Sequence, residues 1–244
     1  MIPAIRKQKI LNLLQSGEIL YTDYLLDTLG VSLSTLRRDL KELEKEKKIS
    51  HLHGGGVQIV KDNIELKISA KLNLNKEAKE TIAKKAASFV NNKDVIFLDP
   101  SSTTLPMIPF LKGMDITVVT NGLYHINQLC AEGIPCIMLG GNIKTSTSSC
   151  IGHMTESALK EIYFNKAFLG ANGFSIKAGI TNHDGNEKQI KRIAMEHAQQ
   201  AYFLLDSSKY GVVTMTKVAS LDEVSIITER DIPELKEYAE LILS

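Results

Sequence analysis

The apolar residues Ile5, Ile10, Leu13 and Leu14 recur at near-helical spacing, which predicts a first helix from Ile5 to Leu14. "GEILYTDYLLDTLG" then offers a glycine break, a Thr22-Asp23 start signal, a short apolar helix and Gly30 as its stop. In "VSLSTLRRDLKELEKEKK", Ser32 is placed to cap a third helix, and Leu36, Leu40 and Leu43 fall at i, i+4 and i+7 in one apolar stripe. Two short helices across a tight glycine-containing turn form the helix-turn-helix pattern. "ISHLHGGGVQIV" reads as a β-type tail with a glycine run, suited to a hairpin wing. A polar, weakly periodic stretch over 54–75 reads as a linker.

Beyond it the pattern alternates. Helix "NKEAKETIAKKAASFV" precedes strand "DVIFLD", a helix after Thr103, strand "ITVVT", helix "GLYHINQLCAE" and strand "PCIMLG". Strand "KAFLGA", helix "NEKQIKRIAMEHAQQ", and strands "AYFLLD" and "EVSIIT" follow. Strands that are apolar nearly throughout, alternating with amphipathic helices, predict a mostly parallel α/β sheet covered on both faces. The expected division is a winged helix-turn-helix over 1–56, a linker over 57–75 and an α/β domain over 76–244.

Composition changes this picture little. The 244 residues carry 29 basic and 28 acidic side chains. Up to His53 there are nine basic against seven acidic residues. So weak a bias leaves a DNA argument to rest on geometry. Cys130, Cys136 and Cys150 are odd in number and form no Cys-x-x-Cys pair, so neither a disulfide framework nor a zinc site is expected, and no cofactor is implied. The N-terminus has charges spread among its apolar residues, unlike a signal peptide, and no run approaches the roughly 18 apolar residues of a membrane span. A soluble, cytoplasmic protein without a membrane partner is the expectation.

Geometry is available on the third helix. At about 100° per residue, Ser34, Arg38, Lys41 and Lys45 lie opposite the leucine stripe, with Arg37 at the margin and Asp39 nearer the core edge. A recognition helix needs this division: arginine reaches guanine edges in the major groove, while hydroxyls and lysines reach phosphates. Candidate DNA contacts are Ser32, Ser34, Thr35, Arg37, Arg38 and Lys41, with His51 and His53 on the wing. The alternative is a solvated amphipathic face, and for the histidines solvent exposure or hairpin packing.

A second candidate is "DPSSTT", directly after the strand "VIFLD". Backbone N–H groups at a helix start beside hydroxyls form an anion site, with Ser102, Thr103 and Thr104 as donors; a helix cap is the plainer reading. Other polar clusters also follow strands, where open α/β sheets bind ligands: Asn121, Gly140-Gly141, Asn172 and the run Asp206-Ser207-Ser208-Lys209. Lys209 is the obvious cation for a phosphate, Lys191 a second, and Asp99 a partner for sugar hydroxyls or a base.

"VSLSTLRRDLKELEK" with "HLHGGG" resembles the winged helix-turn-helix of DeoR-family bacterial transcriptional regulators, with Thr35, Arg37, Arg38, Asp39, Leu40, His53, Gly54 and Gly55 at motif positions. Leu26, Lys47 and His51 depart from the family's usual Ala, Gly and Arg. The stretches "IFLDPSSTT", "VVTNGL", "LGGNI", "AFLGANGF", "GITN", "IKRIAMEHA" and "DSSKYG" are similar, in order, to the family's sugar-phosphate sensor domain, related in fold to ribose-5-phosphate isomerase. Ser101 stands where that family's loop usually has glycine. The resemblance implies a non-enzymatic regulator, a repressor of a sugar-catabolic operon, binding double-stranded operator DNA and responding to a phosphorylated sugar; one helix-turn-helix supplies a small footprint, so a homodimer or homotetramer is expected. The rival is an isomerase-like enzyme using Asp99, Asp184, Glu187 or Asp206 as base. A third reading is a constitutive DNA binder whose second domain only oligomerises.

Overall fold

A computed structural model describes residues 2–14, 19–46, 48–52, 55–59 and 67–244. The chain divides into two compact units, Met1–Leu74 and Asn75–Ser244.

In the first unit, α1 (Pro3–Leu14), α2 (Thr22–Leu29) and α3 (Leu33–Lys45) accompany a small antiparallel sheet of β1 (Leu20–Tyr21), β2 (Ile49–Leu52) and β3 (Gly56–Ile59), in the order β1-β3-β2. Gly30 ends α2 in the left-handed conformation, φ 61°, which glycine adopts without a Cβ penalty. Two residues later the Ser32 hydroxyl accepts the Thr35 N–H at 3.3 Å and starts α3. One core holds the unit: Ile10 and Leu14 of α1, Leu25 of α2, the Leu36, Leu40 and Leu43 stripe of α3, Ile49 and Val57. Ile5, counted in the apolar periodicity that predicts α1, is exposed. The linker expected from residue 57 does not begin there, because Val57 is buried and pairs with both Leu20 and His51. Within the same stretch, Ile68–Lys71 form a one-turn helix, α4.

The second unit is built on seven parallel strands. These are β4 (Val95–Leu98), β5 (Thr117–Thr120), β6 (Cys136–Met138), β9 (Phe164–Leu169), β12 (Ala198–Leu204), β14 (Ser225–Thr228) and β15 (Glu240–Leu243), ordered β15-β14-β12-β9-β4-β5-β6. Alternate residues feed opposite faces, as a pleated strand requires. Ile96 and Leu98 join the core beneath α5 (Lys76–Ala87), α6 (Leu123–Glu132) and a 3₁₀ helix, Leu105–Leu111. Phe97 joins the core beneath α7 (His153–Lys160) and α8 (Gly185–Glu196). Two smaller sheets complete the unit: the hairpin β7 (Asn142–Lys144) with β8 (Ser149–Ile151), and the antiparallel β10 (Gly173–Ser175), β11 (Gly179–Asn182) and β13 (Thr216–Ala219). Two expectations shift. The helix after Thr103 is 3₁₀, with Pro109 inside it removing a donor an α-helix needs, while Pro106 sits in the first turn, where a proline is tolerated. The tail "HAQQ" leaves α8, since Ala198 already pairs with Phe164 as the start of β12.

From β4 the chain steps outward through β5 and β6, then returns to add β9, β12, β14 and β15 on the other side. The order reverses between β4 and β9, and a crevice opens beyond the carboxyl ends of strands at such a point.

Candidate functional site

On α3 the sequence periodicity translates directly into exposure. Ser34, Arg37, Arg38, Lys41 and Lys45 are exposed while Leu36, Asp39, Leu40 and Leu43 are buried. Neither Arg37 nor Arg38 pairs with a carboxylate among the described residues, so both guanidinium groups are free to meet an outside partner. Ser32 is engaged in capping, 3.1 Å from the Ser34 hydroxyl and 2.9 Å from that of Thr35. His51 is partly exposed with its Nε2 3.8 Å from Glu44, a carboxylate that weakens any attraction to phosphate. His53 lies outside the described residues. Sequence reading missed Arg6, whose guanidinium grips Asp39 from α1; only the packing of two helices brings the pair together.

At the β4/β9 edge, Asp99 follows β4 and its Oδ2 accepts the Gly170 N–H, at the end of β9, at 2.9 Å. Its other oxygen holds the Lys191 ammonium of α8, and both side chains are buried. From the neighbouring β12 comes the Asp206–Lys209 turn. Lys209 Nζ stands 3.4 Å from Thr103 Oγ1 and 3.9 Å from Asp206 Oδ2. Burial pushes Lys209 below the ordinary lysine value, Lys191 adds to the effect, and Asp206, Asp99 and Glu229 oppose it. Asp206 is raised by burial, but the Lys209 ammonium, the Ser208 hydroxyl, Lys79 and the Asn75 amide outweigh that and leave it below the usual carboxylate range. Asn75 Nδ2, in the first residue of this unit, donates to Asp206 Oδ1 at 2.9 Å and to Ser208 Oγ at 3.0 Å. Thus Asp99, Thr103, Lys191 and Lys209 form one connected group.

The "DPSSTT" loop is neither an open cradle nor a plain helix cap. Thr104 is fully buried, and its hydroxyl donates to the Asp99 carbonyl at 2.5 Å. That leaves Thr104 Oγ1 as acceptor for His125 Nε2 at 2.9 Å. Thr104 therefore offers its hydroxyl inward, which corrects its reading as an anion donor. Ser101 supplies the cap, its Oγ accepting the Thr103 and Thr104 N–H groups at 3.3 and 3.1 Å. Ser102 and Thr103 are themselves buried. His125 escaped sequence reading because nothing in "LYHINQ" marks which turn of α6 faces the loop. Burial lowers its pKa to about 3, so it is neutral, and its Nδ1 has no hydrogen-bond partner among the described residues.

The remaining candidates brace the surrounding loops. Asn121 Nδ2 donates to the Cys150 carbonyl at 2.7 Å and ties β5 to the β7–β8 hairpin. The Gly140 carbonyl accepts the Thr155 hydroxyl at 2.8 Å, and a Cβ on Gly141 would stand 2.1 Å from that same Thr155 Oγ1. Asn172 Oδ1 accepts the His183 N–H at 3.1 Å. Of the carboxylates an enzyme would need, Asp184 caps α8 through the Asn186 and Glu187 N–H groups, and Glu187 receives Thr147 Oγ1 at 2.8 Å and Asn182 Nδ2 at 2.9 Å. With Asp99 and Asp206 also engaged, all four are occupied by internal partners.

A winged helix-turn-helix unit joined to a parallel α/β unit with a polar strand edge defines a DNA-binding regulator with a sensor module. Residues 6–62 match the family model of the DeoR-like helix-turn-helix domain, and residues 74–230 that of the DeoR C-terminal sensor domain. The chain belongs to the DeoR family of transcriptional regulators. It is 36% identical over 229 residues to the uncharacterized HTH-type transcriptional regulator FruR of Bacillus subtilis, covering 93% of this chain and 91% of that one. It is 31% identical over 229 residues to the HTH-type transcriptional regulator GolR of Listeria innocua, covering 93% and 90%. Among solved structures, ribose 5-phosphate isomerase A of Methanocaldococcus jannaschii aligns over 56% of this chain and 55% of the other, with 20% identity and TM-score 0.42. No described helix is long and apolar enough to cross a membrane.

Proposed function

We propose that this chain is a cytoplasmic repressor of a sugar-catabolic operon whose grip on operator DNA is altered by a phosphorylated sugar bound at the β4/β9 edge. The observation that carries the reading is Lys209: a partly buried ammonium on the turn after β12, 3.4 Å from Thr103 Oγ1 in the loop after β4, stands 3.9 Å from its carboxylate and is short of a close anion. A phosphate supplies it. Lys191 and Asp99 stand beside it to meet sugar hydroxyls, while Asn121, Gly140, Gly141 and Asn172 shape the neighbouring loops. On the DNA side, Arg37 and Arg38 read base edges, and Ser34, Thr35, Lys41 and the wing meet phosphates. Occupying a promoter is enough to silence it, so repression demands least of a two-unit chain.

A ligand shifts DNA affinity only by binding the competent and incompetent arrangements unequally. Asn75 is the natural route, since it directly follows the DNA-binding unit and holds the turn that carries Lys209. One helix-turn-helix has a small footprint, so tight operator binding requires a homodimer or homotetramer on paired half-sites, a state sedimentation reports. The deciding experiment is a DNA mobility shift with a panel of sugar phosphates and their unphosphorylated sugars. A response to one phosphosugar and not to its sugar supports the reading. Indifference to the whole panel leaves the constitutive DNA binder.

A further inference from the structure

The turn that carries Lys209 is tied to β14 as well as to Asn75. β12 and β14 pair as far as the Leu205 N–H, which donates to the Ile227 carbonyl at 3.0 Å. Two residues further on, the tie passes from backbone to side chain. Glu229, directly after β14, accepts the Ser207 N–H with both oxygens, at 3.1 and 3.0 Å, and the Ser207 hydroxyl with Oε1 at 2.6 Å. The Thr228 hydroxyl donates to Oε2 at 3.3 Å. These neighbours are all donors, which suits a carboxylate because it only accepts. Ser207 in turn opens the turn that ends at Lys209: the Lys209 N–H donates to the Asp206 carbonyl at 3.0 Å, and the Tyr210 N–H to the Ser207 carbonyl at 3.1 Å. Asn75 restrains Asp206 and Ser208, the residues on either side, so Glu229 holds the middle of the turn. With Asp206 and Asp99 it is also one of the carboxylates whose charge favours the Lys209 ammonium.

We infer that Glu229 is a positioning residue of the effector site, holding through Ser207 the turn from which Lys209 reaches Thr103. The inference rests on the phosphosugar reading above and deepens it. Lysine is a point charge on a flexible stem, so its ammonium is only as well placed as the backbone that carries it. A charge-assisted bond to phosphate depends on that placement, since hydrogen bonds weaken steeply away from their preferred distance and direction. A phosphate that meets a loosened turn must order it on binding, and the ordering is subtracted from the affinity. Glu229 removes that cost in advance without touching the ligand itself.

The test is calorimetric titration of the full chain and its Glu229→Ala and Glu229→Gln variants with inorganic phosphate and with ribose 5-phosphate. Both variants lose the same charge, but glutamine keeps an oxygen for the Ser207 N–H and hydroxyl, so the comparison isolates the hold on the turn. Glu229→Ala is expected to bind either compound about tenfold more weakly than Glu229→Gln. The same two substitutions in a Lys209→Ala background, read by ligand-induced thermal stabilisation at concentrations that reach weak binding, should no longer differ. A residue that acts through Lys209 has nothing left to act on there. Equal binding by the two variants when Lys209 is present makes the hold on Ser207 irrelevant to the ligand and overturns the inference. An equal difference with and without Lys209 makes Glu229 a general support of the fold and overturns it too. Should Glu229→Ala not fold, Ser207→Ala against wild type takes its place, with a smaller loss expected and the same dependence on Lys209. Wherever the inference fails in these ways, wild-type binding leaves the phosphosugar reading standing. If wild type binds neither phosphate compound, both fall.

Discussion

Arg6 on α1 clasps Asp39 on α3, with Nη2 donating to Oδ1 at 3.0 Å and Nε to Oδ2, and both residues are buried. Asp39 directly follows Arg38, so the clasp fixes the rotation of α3 about its axis and hence the direction of the exposed arginine pair. Removing one partner of a buried pair leaves the other charge uncompensated. Arg6→Ala is expected to lower the melting temperature of the DNA-binding unit and weaken operator binding in proportion. An unchanged melt would show the clasp contributes nothing to α3.

Arg38 and Leu40 separate readout from stability. Arg38→Ala should cost about 1 to 3 kcal/mol of operator affinity with no change in melting. Leu40→Ala empties a fully buried position and should destabilise the unit by about 2 to 5 kcal/mol. Operator titration and denaturant unfolding measure the two effects, and full affinity in Arg38→Ala would reverse the assigned face. Wild-type affinity should also fall steeply with salt as phosphate contacts release counterions.

Lys209→Ala should reduce phosphosugar affinity by about one to two orders of magnitude and leave effector-free operator binding intact. The pH profile carries further information. Affinity should rise through about pH 6 as phosphate takes its second charge. Because burial holds Lys209 below the ordinary lysine value, affinity should then decline at alkaline pH earlier than an unperturbed lysine would allow. Lys209→Arg stays charged and should abolish the alkaline decline, whereas a decline surviving in that variant assigns it to another group.

His125 makes the sensor unit acid-sensitive. Its folded pKa is about 3 against 6.5 when unfolded, so the unfolded chain binds the extra proton and stability falls as pH drops through that window. Between pH 7 and 5 the loss attributable to His125 is about 2 kcal/mol. Denaturant unfolding at the two pH values checks it: His125→Gln, which keeps a donor toward Thr104 and cannot be protonated there, should flatten the difference.

Asn75→Ala should uncouple the two activities. Operator and phosphosugar should each still bind, while the effect of one on the other shrinks in both directions, as reciprocity demands. Full coupling in this variant would move the route elsewhere.

The leucine stripe of α3, the Ser32 cap, the Gly30 stop and the apolar strands were all legible in the sequence. Each depends on the spacing of neighbours along one element, and local spacing decides which face is apolar. The polar ends of β4, β5, β6, β9 and β12 were legible for the same reason. Pairings across elements were not. Arg6 with Asp39, Asn75 with Asp206, Thr104 with His125 and Ser101 with Gly170 join residues 33, 131, 21 and 69 positions apart. No periodicity spans such gaps. Only when the parallel sheet placed β4 between β9 and β5 did the hydroxyls of one loop divide into Ser101 over the backbone donors, Thr103 beside a lysine and Thr104 turned into the core. Sequence determined which chemistry the loop contains; packing decided which way each hydroxyl points, because a side chain's hydrogen-bond partner is set by whatever the neighbouring strands bring within reach.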